Sequence, residues 1–252
     1  MTTKPPSPKP ALSRQKIRQW ILIVSFLLLP VTLFYISPIV ILMGAAEGVA
    51  TGSMILFIAI FFLSFFVARL WCGWICPMGA WQEICSPVIM HTVQEGWRPR
   101  VKYGVTMLWL ALIAYLFIGA GGIRTINPFY DTDNGLSITS LAPLVVVIVI
   151  FLFIFGVAYF MGRRGFCRIL CPIAVLMITG RKIRNAIGWP ALQLNADPIR
   201  CIDCNACSGT CPMGLDVHGM VKEGNMESAE CIFCASCADR CPKGAITVSV
   251  RG

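Results

Sequence analysis

The chain has 252 residues, 57% of them hydrophobic and 13% charged, against about 25% charged in ordinary soluble domains. That deficit, with a mean hydropathy of +0.74, excludes a wholly solvated globular protein and points to lipid-facing surface. Lys and Arg outnumber Asp and Glu by 21 to 12, a net charge of +9, and their clustering around long uncharged runs suggests membrane flanks, so no nucleic-acid partner is needed.

Residues 1–13 are rich in Pro and polar residues and are expected to form a disordered tail. After Arg14, Lys16 and Arg18 comes an apolar run over 20–43. It exceeds the ~7–15 residues of a signal-peptide core, so a retained helix kinked at Pro30 is expected. Further uncharged runs cover 53–68, 103–123 and 141–161. With roughly 20 apolar residues needed per crossing, the expectation is an α-helical membrane protein with four transmembrane helices.

Lys and Arg set the orientation. Lys4, Lys9, Arg14, Lys16 and Arg18 precede the first run. Arg69, Arg98, Arg100 and Lys102 lie between the second and third. Arg163, Arg164, Arg168, Arg181, Lys182 and Arg184 follow the fourth, and the other two loops hold only Arg124. Both termini are therefore expected in the cytoplasm, at a bacterial or archaeal cytoplasmic membrane. Residues 14–185 form the expected membrane domain, and residues 186–252 a small, polar, Cys-rich α+β domain.

Twelve of the 13 cysteines fall in motifs. Cys85 stands outside them and is expected to pack as a small buried hydrophobe. In the C-terminal domain, Cys201, Cys204, Cys207 and Cys211 are followed by Pro212, and Cys231, Cys234, Cys237 and Cys241 by Pro242. This spacing, present twice, suits two iron–sulfur clusters better than zinc or disulfides. It resembles the two-cluster bacterial ferredoxins, a resemblance that implies electron transfer and a ligand exchange between the motifs. Cys201, Cys204, Cys207 and Cys241 would hold one [4Fe–4S] cluster, and Cys231, Cys234, Cys237 and Cys211 the other.

A second pair of motifs closes the second and fourth runs. Arg69, Trp71, Cys72, Cys76 and Pro77 match Arg164, Phe166, Cys167, Cys171 and Pro172. The membrane part therefore reads as two tandem helix-pair repeats. Cysteines at i and i+4 are expected on one helical face. If the repeats meet, Cys72, Cys76, Cys167 and Cys171 could hold a third cluster, its charge offset by Arg69, Arg164 and Arg168. Structural thiols or a disulfide within each pair are the alternatives.

The full arrangement resembles the NapH type of membrane quinol dehydrogenase subunit, and its membrane part the larger NosR and CcoG/FixG proteins. The resemblance implies exchange with the quinone/quinol pool and partner subunits such as periplasmic or membrane cytochromes or iron–sulfur proteins. A quinone-free membrane anchor and electron wire, and a redox sensor or assembly factor, are the competing functions. There is no Cys-x-x-Cys-His, no Rossmann or P-loop glycine pattern, and His91 and His218 lie outside the apolar runs, so haem, NAD and ATP sites are not expected. Glu83, Glu95 and His91 beside the first Cys pair, and Glu47, Asp131 and Asp133 in the external loops, are each expected to be solvated. No catalytic residue is assigned.

Overall fold

The computed structural model describes residues 11–89, 91–93, 96–132, 135–137 and 141–251. Glu95, Asp133 and residues 1–10 of the expected tail lie outside the described residues. The rest of that tail differs from expectation: α1 (Ala11–Leu27) begins at Ala11. It continues the good helix formers around Arg14, Gln15 and Lys16.

The first apolar run is three helices, not one kinked helix. α1 is followed by α2 (Leu29–Ile36) and α3 (Pro38–Glu47), and α1 meets α2 at 84°. Both breaks trace to proline, which cannot donate to the preceding turn. Pro30 stands in the first turn of α2. Pro38 opens α3, with Ser37 capping Val40 N. β1 (Val49–Thr51) leads into α4 (Gly52–Val67), and the short helices α5 (Leu70–Trp74) and α6 (Pro77–Ile84) follow. Next come α7 (Val101–Gly119), β2 (Thr125–Asn127), α8 (Leu141–Met161), α9 (Gly165–Ile169) and α10 (Pro172–Ile187). The C-terminal part comprises β3 (Ala191–Ala196), α11 (Ala206–Gly209), α12 (Val217–Lys222), α13 (Ser236–Arg240) and β4 (Ile246–Arg251).

The described chain is mostly helical. α7 and α8 are long and apolar enough to cross a membrane, and the bent α1–α2 pair makes a third if taken as one span. Both α7 and α8 leave large apolar side chains outside, including Leu108, Ile118, Val145, Val149 and Leu152. So much contiguous exposed apolar surface is consistent with membrane association. α4 has 16 residues, or roughly 24 Å at 1.5 Å per residue, short of a ~30 Å hydrocarbon core. It stops at Ala68, whose φ of 50° breaks the helix.

Two small sheets close the ends. β1 pairs in parallel with β2, Val49 opposite Thr125. β3 pairs antiparallel with β4, from Ala191↔Arg251 to Ala196↔Ile246. One hydrophobic core runs from Phe57, Ile60 and Met177 to Met213, Val221, Ile232 and Phe233, so the Cys-rich part is packed onto the helices. α10 was not expected as an element. It runs to Ile187, beyond the expected boundary at residue 185, and ends in a left-handed Gly188.

Candidate metal centres

The two membrane-end motifs share one backbone. α5 and α9 start and end at positions 95 residues apart, as do Cys72 and Cys167, and Cys76 and Cys171. In each, one carbonyl receives two amides: Ile75 N and Cys76 N donate to Trp71 O, and Leu170 N and Cys171 N to Phe166 O. The second cysteine caps the next helix in extended conformation, and proline opens that helix. The pair is therefore not on one helical face, as the four-residue spacing suggested. The chain turns between the two cysteines because proline at helix position one requires a non-helical residue before it.

That turn brings the repeats together. Cys72, Cys76, Cys167 and Cys171 line one cavity of about 220 Å³, whose other walls are apolar and include Ile36, Ile39, Ile154, Phe166 and Ile173. All four are free thiols. Burial, then the neighbouring Cys72 and Cys167, pushes the Cys76 thiol up to about 12. Burial pushes Cys72 up against the pull of Arg69, and raises Cys171 strongly, with Cys167, Cys72 and Cys76 adding to the effect. Raised thiols at Cys72, Cys76 and Cys171 resist ionising in this apolar cavity, and a bound cation favours the thiolate form that metal ligation needs.

The C-terminal motifs repeat one another at an interval of 30 residues, from Cys201/Cys231 to Cys211/Cys241. Asp203 and Asn205 in the first, and Phe233 and Ala235 in the second, all have φ between 52° and 58°. Non-glycine residues rarely hold this left-handed conformation, and its recurrence in both copies marks a backbone shaped around something else. One cleft is lined by Cys201, Cys204, Cys207 and Cys241. Another is lined by Cys211, Cys231, Cys234 and Cys237. In each cleft three cysteines of one motif meet the fourth of the other. Burial pushes Cys231 up to about 11 and also raises Cys211 and Cys237. The donor sets fit iron–sulfur clusters, which take four thiolates each.

The second C-terminal motif is the one seated on the membrane-end motif. Trp74 Nε1 donates to Phe233 O at 3.0 Å, and a Cβ on Gly73 would strike the Ile232 carbonyl. Glu230 pairs with Arg69 at 2.9 Å and with Lys102, while Arg69 also donates to Ala229 O. Burial pushes Glu230 up, but Arg69 and Lys102 more than offset it and hold the carboxyl below its ordinary value. Arg168 donates to Val93 O at 3.2 Å and to Met213 O at 3.1 Å. Arg181 pairs with Glu227 at 2.7 Å. From the other end of the chain, Arg14 pairs with Asp239, and Gln15 donates to Cys234 O at 2.9 Å.

Glu83 is not a solvated loop residue. It accepts from Arg164 at 2.6 Å and from Arg18 at 2.9 Å. These bonds outweigh burial and hold its carboxyl below the ordinary range. Arg69, Arg164 and Arg168 are themselves buried and engaged as described. His91, Glu47 and Asp131 are exposed, and Cys85 is only half-buried, at the end of α6. His218 lines the Cys201 cleft and lies 2.9 Å from Asp203. Sequence reading did not single out Glu230, Gln15 or Gln82. Glu230 was findable as one of few acids in a basic chain, placed directly before Cys231.

Cysteine clefts of this kind, on a frame with two helices long and apolar enough to cross a membrane, go with the comparisons that follow, which point to an iron–sulfur protein of the electron-transfer class. Residues 49–89 and 143–190 match the family described as 4Fe-4S binding domain, one segment on each repeat. Residues 200–246 match the 4Fe-4S dicluster domain. The chain is similar to the protein named "Putative electron transport protein YccM" of Escherichia coli, with 24% identity over 73% of this chain and 52% of YccM. The methylamine utilization ferredoxin-type protein MauN of Methylobacillus flagellatus is 25% identical over 60% of this chain and 50% of its own length. Protein RdxA of Cereibacter sphaeroides is 27% identical over 64% of this chain and 38% of its own. The chain thus spans about half or less of each of these relatives. No solved structure matches it significantly.

Proposed function

We propose that this chain is a membrane-bound electron-transfer subunit of the NapH type, linking the quinone/quinol pool to a partner oxidoreductase. Three [4Fe–4S] clusters would be held by Cys72, Cys76, Cys167 and Cys171, by Cys211, Cys231, Cys234 and Cys237, and by Cys201, Cys204, Cys207 and Cys241. Bound there, the clusters would supply one-electron storage and transfer. The observation that carries the reading is the succession of the three cysteine sets. The first lines an apolar cavity between the helices. The second is docked on it through Trp74, Gly73 and Glu230. The third lies outermost, with Cys204 exposed.

The same reading gives the chain four crossings, the α1–α3 segment, α4 lengthened by the extended β1 residues before it, α7 and α8, with both termini in the cytoplasm. The Lys/Arg distribution supports this. So does the contact of Arg14 and Gln15 with the C-terminal motif, which keeps the start of α1 beside the Cys-rich part. Partner subunits, among them periplasmic or membrane cytochromes and iron–sulfur proteins, are part of the proposal.

Metal analysis and quinol oxidation test it. The purified full chain should hold about twelve iron atoms, four per cluster. Cys72→Ser and Cys167→Ser should each reduce the count to about eight and stop reduction of the chain by a short-chain quinol, to equal extents, because the two residues serve one site. A count of eight in the unmodified protein would remove the third cluster. Reduction by dithionite but not by quinol would leave an electron wire without a quinone site.

A further inference from the structure

The two membrane-end repeats cross over one another. Gln82, on α6, lies six residues after Cys76, and Met177, on α10, lies six residues after Cys171. Each reaches the first cysteine of the opposite repeat. Gln82 Nε2 donates to Cys167 Sγ at 3.2 Å, and Met177 Sδ lies 3.7 Å from Cys72 Sγ. Both side chains are buried. The two contacts are counterparts in position and opposites in chemistry. The amide nitrogen of Gln82 also donates to Met78 O at 3.2 Å, so both of its neighbours are acceptors and the amide orientation is determined. A thioether has no proton to donate. Once Cys72 has lost its own proton to become a ligand, Met177 offers it nothing.

We propose that Gln82 is a positioning residue that raises the reduction potential of the membrane-end cluster, and that the Gln82/Met177 difference makes the two halves of that site electronically unequal. The inference rests on the third-cluster reading above. An N–H aimed at a ligand sulfur is a charge-assisted hydrogen bond in a site without water. It favours the state with more negative charge on the sulfur, which is the reduced one, and hydrogen bonds to cluster sulfurs are one of the levers that set potential. The side chains are unbranched up to Cγ and similar in length, so exchanging Gln for Met changes the donor with little change of volume.

The test is a potentiometric titration of the full chain followed by electron paramagnetic resonance, with the membrane-end signal identified by its loss in Cys72→Ser and Cys167→Ser. Gln82→Met should lower the reduced-to-oxidised ratio at a fixed potential about tenfold, a shift of about −59 mV for a one-electron couple. Met177→Gln, which adds a donor on the Cys72 side, should shift the potential upward. The exchanged pair Q82M/M177Q should return close to the starting value. A mere packing role would lower cluster occupancy in the variants without moving the potential in opposite directions. If Gln82→Met does not assemble, Met177→Gln carries the test alone. An intact signal with unchanged potential in the variants overturns the role of Gln82 and leaves the cluster standing. Absence of any signal dependent on the four cysteines overturns the cluster and the inference together.

Discussion

Glu230 is the counter-charge on which the seating of the C-terminal part depends. Its two oxygens meet Lys102 and Arg69, whose side chains are fully buried, while Glu230 itself is 14% exposed. Glu230→Gln keeps the shape and one acceptor oxygen. It removes the charge and turns an N–H₂ group toward a buried cation. Breaking a buried pair from one side costs about 3–5 kcal/mol, because the partner is left uncompensated. Two cations are stranded here, but Arg69 retains Ala229 O at 3.1 Å, which argues for the same range and not its double. At 1.4 kcal/mol per factor of ten, that is roughly two to three and a half orders of magnitude in the opening equilibrium. Hydrogen exchange on the detergent-solubilised protein measures that equilibrium locally. Amides of residues 71–76 and 231–236 should lose protection by that factor, while the β3–β4 pair keeps its own. Adding Lys102→Met should recover part of the loss. Equal exchange in Glu230→Gln and the unmodified protein would refute the argument and mean that apolar packing of Ile232 and Phe233 alone holds the seam.

Cys204→Ser should remove one C-terminal cluster and leave the other largely assembled, which iron and sulfide analysis of the variant would establish by a loss of about four irons per chain. Glu83, with its carboxyl held below the ordinary 4.5, stabilises the α1–α6 contact fully above that value. The contribution is lost as pH falls below 4.5 through its lowered value; fluorescence of Trp20 on α1 should report that transition, and Glu83→Gln should abolish it. A Cβ at Gly180 would collide with Ser64 Oγ, where α10 crosses α4. Gly180→Ala should therefore cost about 1–3 kcal/mol by overpacking, read as a lower melting temperature, and Ser64→Ala should relieve most of it.

The cysteine spacing made the candidate sites legible because ligation is a local constraint. Cys201 to Cys211 must wrap one volume, and the spacing says so without reference to the rest of the fold. The two helices long and apolar enough to cross a membrane were legible for a similar reason, since α7 and α8 coincide with long uncharged runs. What stayed hidden was set by pairing across the chain. Glu230 meets Arg69 from 161 residues away, and Arg18 finds Glu83 across 65. No periodicity encodes either. The turn between Cys72 and Cys76 was missed for a different reason. A four-residue spacing fits both a helical face and a break, and only the proline after Cys76, read as a helix start and not an end, separates them. Aligning the two repeats one turn further would have set Gln82 beside Met177.

The contact between α1 and the C-terminal motif has a consequence for biosynthesis. Arg14 is made 225 residues before Asp239. At 5–20 residues per second, roughly 10–45 s pass before the first helix can meet its final neighbour. Arg18 can pair with Glu83 much sooner, so α1 is anchored to the first repeat well before the second ferredoxin motif exists. Gln15, waiting beside that anchor, accepts from Ser236 Oγ and donates to Cys234 O only once that second motif has been made. The N-terminal helix is in this sense a latch: it is mounted first, stays open through synthesis, and closes over the last cysteine loop once that loop has been made.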